Sequence, residues 1–240
     1  MLTNHTLLMT NKTLDALAIG AHPDDAEIGM GASLIKLKKE GFKTGILDLT
    51  DGEPTPFGTT EKRKQERKKA AEKLNLDFRH TLDLPNRYLQ DTIEAREKVA
   101  AVIRATKPHL LFFHHWEDAH PDHKAAKDIC EAARFYGKLS KSNIKGEPHY
   151  SLKIFYFYAS HLKVREKPSF VIDVSEEYDQ KIEAIKSYES QFLENEKNQA
   201  IFEHLKNRAQ YWGDRIRVKY GEPFLSKEEV GLKSFKDFIE

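Results

Sequence analysis

"LDALAIGAHPDDAEIGMGASLIKLKKEG", residues 14–41, joins an apolar run to a polar cluster and then to a helical pattern. Residues 14–21 read as a buried strand, and residues 27–41 as a helix stopped by Gly41. His22, Asp24, Asp25 and Glu27 crowd the junction between them. A strand that feeds a helix through a short polar turn opens a β-α-β unit, and the chain goes on to repeat the pattern. "KTGILDLT" (43–50) reads as a second strand, "DGEPTPFGT" (51–59) as a Gly/Pro-rich loop, and the charged stretch to about Leu74 as a helix. "FRHTLDL" (78–84) is a weaker strand, 91–107 a helix, "HLLFFHH" (109–115) a strand and 123–137 a helix. This alternation predicts an α/β fold, a Rossmann-like three-layer sandwich whose mostly parallel sheet is covered by helices on both faces.

Beyond residue 150 the pattern loosens. "SLKIFYFY" (151–158) and "SFVIDV" (169–174) read as strands, 176–192 and 195–215 as helices, and Gly221-Glu222-Pro223 as a turn. The expectation is one domain over 1–240 with a C-terminal elaboration, residues 1–13 forming a flexible lead-in. Met9 is an alternative start within it.

Lys plus Arg number 39 against 38 Asp plus Glu, a net charge of +1. That balance gives no electrostatic case for nucleic acid or an anionic membrane as partner. The single cysteine, Cys130, excludes an intramolecular disulfide and fits a reducing compartment. It is expected to pack as a small hydrophobe. The first residues lack the basic and apolar regions of a secretory signal, and no apolar stretch has membrane-spanning length. A cytoplasmic location is the expectation, which makes the sequons at Asn4 and Asn11 chance matches.

In open α/β sheets, ligand sites lie beyond the carboxyl ends of the strands. "AHPDD" falls there after the first strand, and "WEDAHPDH" (116–123) after the strand at 109–115. If those strands are neighbours, both clusters face one crevice. Imidazole and carboxylate suit a catalytic zinc with three protein ligands and a water. His22 and Asp25 from one loop and His123 from the other form the expected set, with iron(II) as the alternative ion. Asp24 is left beside the metal as general base, its bland alternative being a helix N-cap. His120 is expected to face the substrate carbonyl, stabilising the oxyanion or protonating the leaving amine. Asp122 would fix its tautomer and favour its charged form. Glu27 reads as a first-turn charge on the helix dipole, and His114 and His115 as packing or supporting residues.

These residues resemble the LmbE-like (PIG-L) family of zinc-dependent N-deacetylases. The likeness rests on "AHPDDAEIG", "GILDLTDGE", the charged helix with Arg63, "EDAHPDH", "YESQF" (188–192) and "YGEPF" (220–224). It is strongest to the bacillithiol-pathway branch, which deacetylates N-acetylglucosaminyl malate. The resemblance implies the same ligands (His22, Asp25, His123), Asp24 as base, and His120 oriented by Asp122. It also implies Arg63 as a grip on the acid or sugar portion of a small N-acetylated glycoside, and a homo-oligomer. The chain departs from the branch at Ala119, where Arg is common, and at Pro85-Asn86-Arg87-Tyr88, where a "PDxG"-like turn is common. Arg87 or Tyr88 is the candidate substitute for aglycone binding.

Other readings have less support. A deacetylase of another N-acetylglucosamine derivative or a thiol-conjugate amidase would use the same residues. A metallophosphoesterase needs more bridging ligands than the two motifs offer. Gly29-Met30-Gly31 follows the acidic cluster, too late to be a dinucleotide-binding turn. "EKRKQERKKAAEKL" (61–74) interleaves Glu with its cations and reads as a solvated helix rather than a nucleic-acid contact. A metal-containing sugar-binding module is the non-enzymatic alternative, and the presence of Asp24 argues against it.

Overall fold

Leu17 and Ile19 face one side of the first strand, β1 (Ala16–Gly20), and Ala16 and Ala18 face the other. That alternation within a fully buried strand explains the layers. The computed structural model describes residues 13–158 and 166–231. Residues 1–12, with both sequon asparagines, Met9 and nearly all of the expected lead-in, lie outside the described residues.

The chain continues through α1 (Asp25–Lys39), β2 (Thr44–Asp48), α2 (Thr60–Lys73), β3 (Phe78–Thr81), α3 (Ile93–Thr106), β4 (Leu110–His114), α4 (Pro121–Gly137) and β5 (Lys153–Phe157). It then forms β6 (Phe170–Asp173), α5 (Tyr178–Ile185), α6 (Glu189–Phe192), a 3-10 turn (Glu196–Asn198), α7 (Ile201–Arg215) and β7 (Gly221–Leu225). Among the described residues, seven strands make one sheet in the order β3-β2-β1-β4-β5-β7-β6. The first five are parallel, and β7 runs antiparallel to both its neighbours. Val99, Ile103, Ile129 and the buried Cys130, from α3 and α4, pack on the Leu17/Ile19 face with Leu47, Leu111 and Phe113. Met30, Leu34 and Ala184, from α1 and α5, pack on the Ala16/Ala18 face with Ile46, Phe112 and Phe224. The expected α/β sandwich is therefore present.

β1 lies between β2 and β4, with Ile19 opposite Leu47 on one side and Phe113 on the other. The chain leaves β1 for β2 in one direction and reaches β4 in the other, so a crevice opens at the carboxyl ends of β1 and β4. Both polar clusters fall there.

The C-terminal third differs from expectation. Gly221-Glu222-Pro223 is not a turn but the start of β7, which is paired along Gly221–Phe224 with β6. β5 pairs only with Phe224 and Leu225, so Pro223 lies beyond that ladder and its missing N–H costs nothing there. The 176–192 helix breaks after Ile185, where Tyr188 (φ −84°, ψ 61°) leaves helical geometry to place its ring in the interior. The helix expected from 195 begins at Ile201, after the 3-10 turn. No helix among the described residues is long and apolar enough to cross a membrane.

Candidate metal centre

Asp25 opens α1 at the mouth of this crevice, and its carboxylate is the hub of the site. Oδ1 lies 3.2 Å from His123 Nε2, and Oδ2 lies 3.3 Å from His22 Nδ1 and 3.2 Å from His114 Nε2. Oδ2 also accepts the His22 backbone N–H at 2.8 Å, which ties the loop to the first helical turn. His123 reaches the hub from the first turn of α4, across the crevice. The donor atoms of His22, Asp25 and His123 all lie within 4.8 Å of one another.

His123 is fixed from behind. Asp118 Oδ2 lies 2.9 Å from its Nδ1, and the His114 ring stacks on it at 4.1 Å. A carboxylate on Nδ1 holds the proton there and turns the Nε2 lone pair toward the site. His114 is itself placed by the Ala21 N–H, which donates to its Nε2 at 3.0 Å.

The electrostatics fit a cation. Burial pulls the His22 imidazole down, but Asp122 and Asp25 outweigh it and push it up to about 9. Burial opposes the charge on His123 too, yet Asp25 and Asp118 raise it to about 10. Burial would raise Asp25; His123 and His114 instead hold it well below the usual carboxylate range. The apoprotein thus draws protons onto two imidazoles to balance buried carboxylates, a charge that a divalent ion would supply. Two imidazoles and one carboxylate suit Zn²⁺ or Fe²⁺. Two further donor groups, His22–His120–Asp122 and His114–Asp118–His123, overlap this one through His22 and His123. Asp118→Ala is expected to weaken Zn²⁺ binding by about 10–100-fold, by freeing the His123 ring. Chelator competition would measure it, and an unchanged affinity would dismiss that support.

Asp24 sits in left-handed geometry, φ 103° and ψ −24°, and its side chain makes no capping hydrogen bond to α1. Asp24 thus holds the N-cap position of α1 without capping it through its side chain. Its Oδ2 accepts from Arg63 Nη1 at 3.3 Å and Nη2 at 3.2 Å instead. A non-glycine residue at positive φ carries backbone strain that the surrounding structure has to hold. Burial raises the Asp24 carboxyl to about 7 against the opposing pull of Arg63.

Arg63 is held close against the site. It is only 2 % exposed, donates from Nη2 to Pro23 O at 2.6 Å, and lies 5.2 Å over the Tyr188 ring. Its guanidinium meets Asp24 and the "HPDD" backbone, and the residue also lines the cavity over the centre. Tyr188 in turn donates its hydroxyl to Glu27 Oε1 at 2.5 Å, and Ser190 N–H and Oγ donate to Glu66 at 2.7 and 2.9 Å. The "YESQF" segment thus clamps α2, and Arg63 with it, against the site.

Asp122 also differs. Its carboxylate contacts His22 Nε2 at 3.1 Å and accepts the backbone N–H groups of Arg87 at 2.7 Å and Leu89 at 3.3 Å. The link to His120 runs the other way, from the Asp122 backbone N–H to His120 Nδ1 at 3.2 Å. The neutral His120 ring then carries its proton on Nε2. Burial, with His123 and His22, lowers its pKa rather than favouring the charged form.

Sequence reasoning passed over Asp118, although it lies inside the quoted "EDAHPDH", and gave Glu27 only a dipole role. Glu27 instead meets Arg79 Nη1 at 2.5 Å, and Arg79 holds Asp48 with two further bonds. A cavity of about 460 Å³ opens over His22, Asp24, Asp25, His120 and His123, with Arg87 and Lys197 on its walls.

The PIG-L family, described as GlcNAc-PI de-N-acetylase, matches residues 17–134, which contain both polar clusters. Diacetylchitobiose deacetylase of Thermococcus kodakarensis is 32% identical over 233 residues, covering 88% of this chain and 82% of the relative. The solved structure of the conserved protein TT1542 from Thermus thermophilus is 38% identical with a TM-score of 0.84, covering 92% of this chain and 97% of that one. GalB of Pseudomonas putida, a 4-carboxy-2-hydroxymuconate hydratase, superposes at TM-score 0.79 with 18% identity, over 93% of this chain and 99% of its own. That last likeness shows the fold alone, and the fold does not choose the reaction.

Proposed function

The chain belongs to the PIG-L family of de-N-acetylases, and on that premise we propose that it hydrolyses the N-acetyl group of an N-acetylglucosamine conjugate in a metal-dependent reaction. The observation that carries the reading is the convergence of His22, Asp25 and His123 beside Asp24, whose carboxylate accepts from Arg63 instead of capping α1. His22, Asp25 and His123 would hold the ion, with zinc the first candidate and iron(II) the second. When bound, it supplies Lewis acidity toward the amide carbonyl and the attacking water.

The protein's own groups do the rest. Asp24 takes a proton from the attacking water as its oxygen bonds to the acetyl carbon. His120 donates from Nε2 to the carbonyl oxygen as negative charge gathers on it. As the C–N bond breaks, the proton held by Asp24 passes to the leaving nitrogen. Water is consumed, and acetate and a free amine leave.

N-acetylglucosaminyl malate is the proposed substrate. The Arg87 and Lys197 side chains support an acidic aglycone: both line the cavity, and neither has an ion-pair partner among the described residues, the Arg87 guanidinium donating to the Pro54 carbonyl at 2.6 Å. A charge-assisted contact of about 1.5–3 kcal/mol corresponds to about 10–100-fold in specificity. Acetate release by the Zn²⁺-loaded protein should therefore favour the malate conjugate over N-acetylglucosamine and N,N'-diacetylchitobiose by at least about 10-fold in kcat/KM. Equal rates would keep the deacetylase and discard malate. No acetate from any of the three, with metal bound, would overturn the reading.

A further inference from the structure

Gly29-Met30-Gly31 is too late for a dinucleotide turn, and the proposed chemistry uses none of it. In the structure it is where α1 breaks, Met30 standing at φ −149° and ψ 24° inside an otherwise helical run. A continuous helix would join the Ala32 N–H to the Ile28 carbonyl. Here each of those groups is met by a side chain from the C-terminal third. Glu222 accepts the Ala32 N–H at 3.2 Å through Oε1 and the Ser33 N–H at 2.7 Å through Oε2. Lys181 Nζ donates to the Ile28 carbonyl at 2.8 Å, and Arg208 Nη2 donates to it at 3.1 Å. Lys181 and Glu222 close the circuit with a 2.6 Å ion pair, both residues being 3 % exposed. The glycines make the room: a Cβ on Gly29 would lie 2.3 Å from the Phe157 ring, and one on Gly31 3.2 Å from Lys181 Cγ.

A buried ion pair is a weak source of stability, because desolvating both charges offsets their attraction. This one sits in the gap of the backbone ladder, its two side chains bonded to the groups on either side of the break. Asp25 stands five residues before Met30, on the short turn beyond the break, whereas His123 is fixed on α4 across the crevice. Any change of geometry at Met30 swings Asp25 relative to His123.

We propose that the Lys181–Glu222 pair is a positioning device for the metal centre: by occupying the break at Met30 it sets the angle of the Asp25 turn, and so the fit of Asp25 with His123 around the ion. The proposal rests on the ligand assignment above. It gives the "YGEPF" strand a part in the site, although Glu222 touches neither the ligands nor the cavity.

The test compares two double variants of the full chain by Zn²⁺ affinity, from competition with a chelating dye, and by thermal melting. Lys181→Met with Glu222→Leu removes both charges and the two partners they give the break, while keeping apolar volume. It should fold with a lowered melting temperature, since the buried Arg208 loses the Glu222 charge beside it, and bind Zn²⁺ at least about 10-fold more weakly at temperatures where it is fully folded. Lys181→Met with Glu222→Gln keeps an acceptor for the Ala32 N–H and should stay within about 3-fold of wild type. Undiminished binding by the Met/Leu protein would overturn the proposal. So would equal losses in both variants that track their melting temperatures, since the pair would then act on stability alone. If the Met/Leu protein does not fold, the Met/Gln protein decides: a folded variant with a loss beyond 10-fold would overturn the specific role of the acceptor. Asp25→Asn is the control on the assignment itself. A wild type that binds no Zn²⁺, or an Asp25→Asn protein that binds it as well as wild type, would remove the ligand set and the proposal together.

Discussion

Asp24→Asn is expected to keep its metal and lose about 10²–10⁴-fold in kcat, the usual worth of a positioned general base. Asparagine is the informative replacement for three reasons. It tolerates the left-handed backbone at this position (φ 103°) better than alanine. Its amide oxygen can still accept from Arg63 Nη1 and Nη2. It cannot hold the proton that an attacking water must give up. Turnover and metal content have to be read together. The ligand-distance contacts of the site run through Asp25, whereas Asp24 points its carboxylate at Arg63. Loss of metal in step with turnover would make Asp24 a ligand. A kcat within about 10-fold of wild type would remove the base, because that lies below the range such a group contributes.

How Asp24 comes to be available was only partly legible in the sequence. The "HPDD" and "HPDH" motifs and the strand pattern around them were enough to predict that two loops share a crevice, since both the motifs and the apolar runs are local. What Arg63 does was not legible. A lone arginine on a charged helix reads equally as a solvated side chain or a substrate grip, and only the packing of α2 under Tyr188 makes it a partner for Asp24. Asp122 was misjudged for a related reason. Its neighbour His120 is two residues away in the chain, but the carboxylate turns to His22, one hundred residues away, and to the loop at Arg87 and Leu89. β7 was the clearest failure at the level of fold. Gly and Pro so close together signal a turn by local propensity, and the pairing with β6 that makes Gly221–Leu225 a strand joins segments some fifty residues apart. The Glu222 bonds into α1 join still more distant parts of the chain, and the helical periodicity of 27–41 hides the break they fill. Local chemistry announces its ligands, while the groups that aim those ligands come from elsewhere in the chain.

Arg79→Met carries the largest expected loss of stability, about 3–5 kcal/mol, the cost of removing one partner from a buried charge cluster. Arg79 bridges the end of β2 to the first turn of α1. Its Nε and Nη2 bind the two oxygens of Asp48 at 3.1 and 2.9 Å, and its Nη1 binds Glu27 Oε1 at 2.5 Å. Both carboxylates are fully buried, and Glu27 Oε2 has no hydrogen-bond partner among the described residues. The Thr81 hydroxyl on Asp48 and the Tyr188 hydroxyl on Glu27 are neutral donors, so neither replaces the lost cation. For a chain of this size the cost should lower the melting temperature by about 6–20 °C. Arg79→Met combined with Glu27→Gln and Asp48→Asn should recover a large part of it, because the two stranded carboxylates are then neutral, while Arg67, which loses the Asp48 charge beside it, keeps the recovery from being complete. That recovery separates stranded charge from lost packing, since the triple variant lacks the guanidinium just as the single one does. If the two variants melt together well below wild type, packing of the Arg79 side chain carries the stability. If the single variant loses less than about 1 kcal/mol, water reaches Glu27 and Asp48 and screens them, as it does at exposed ion pairs.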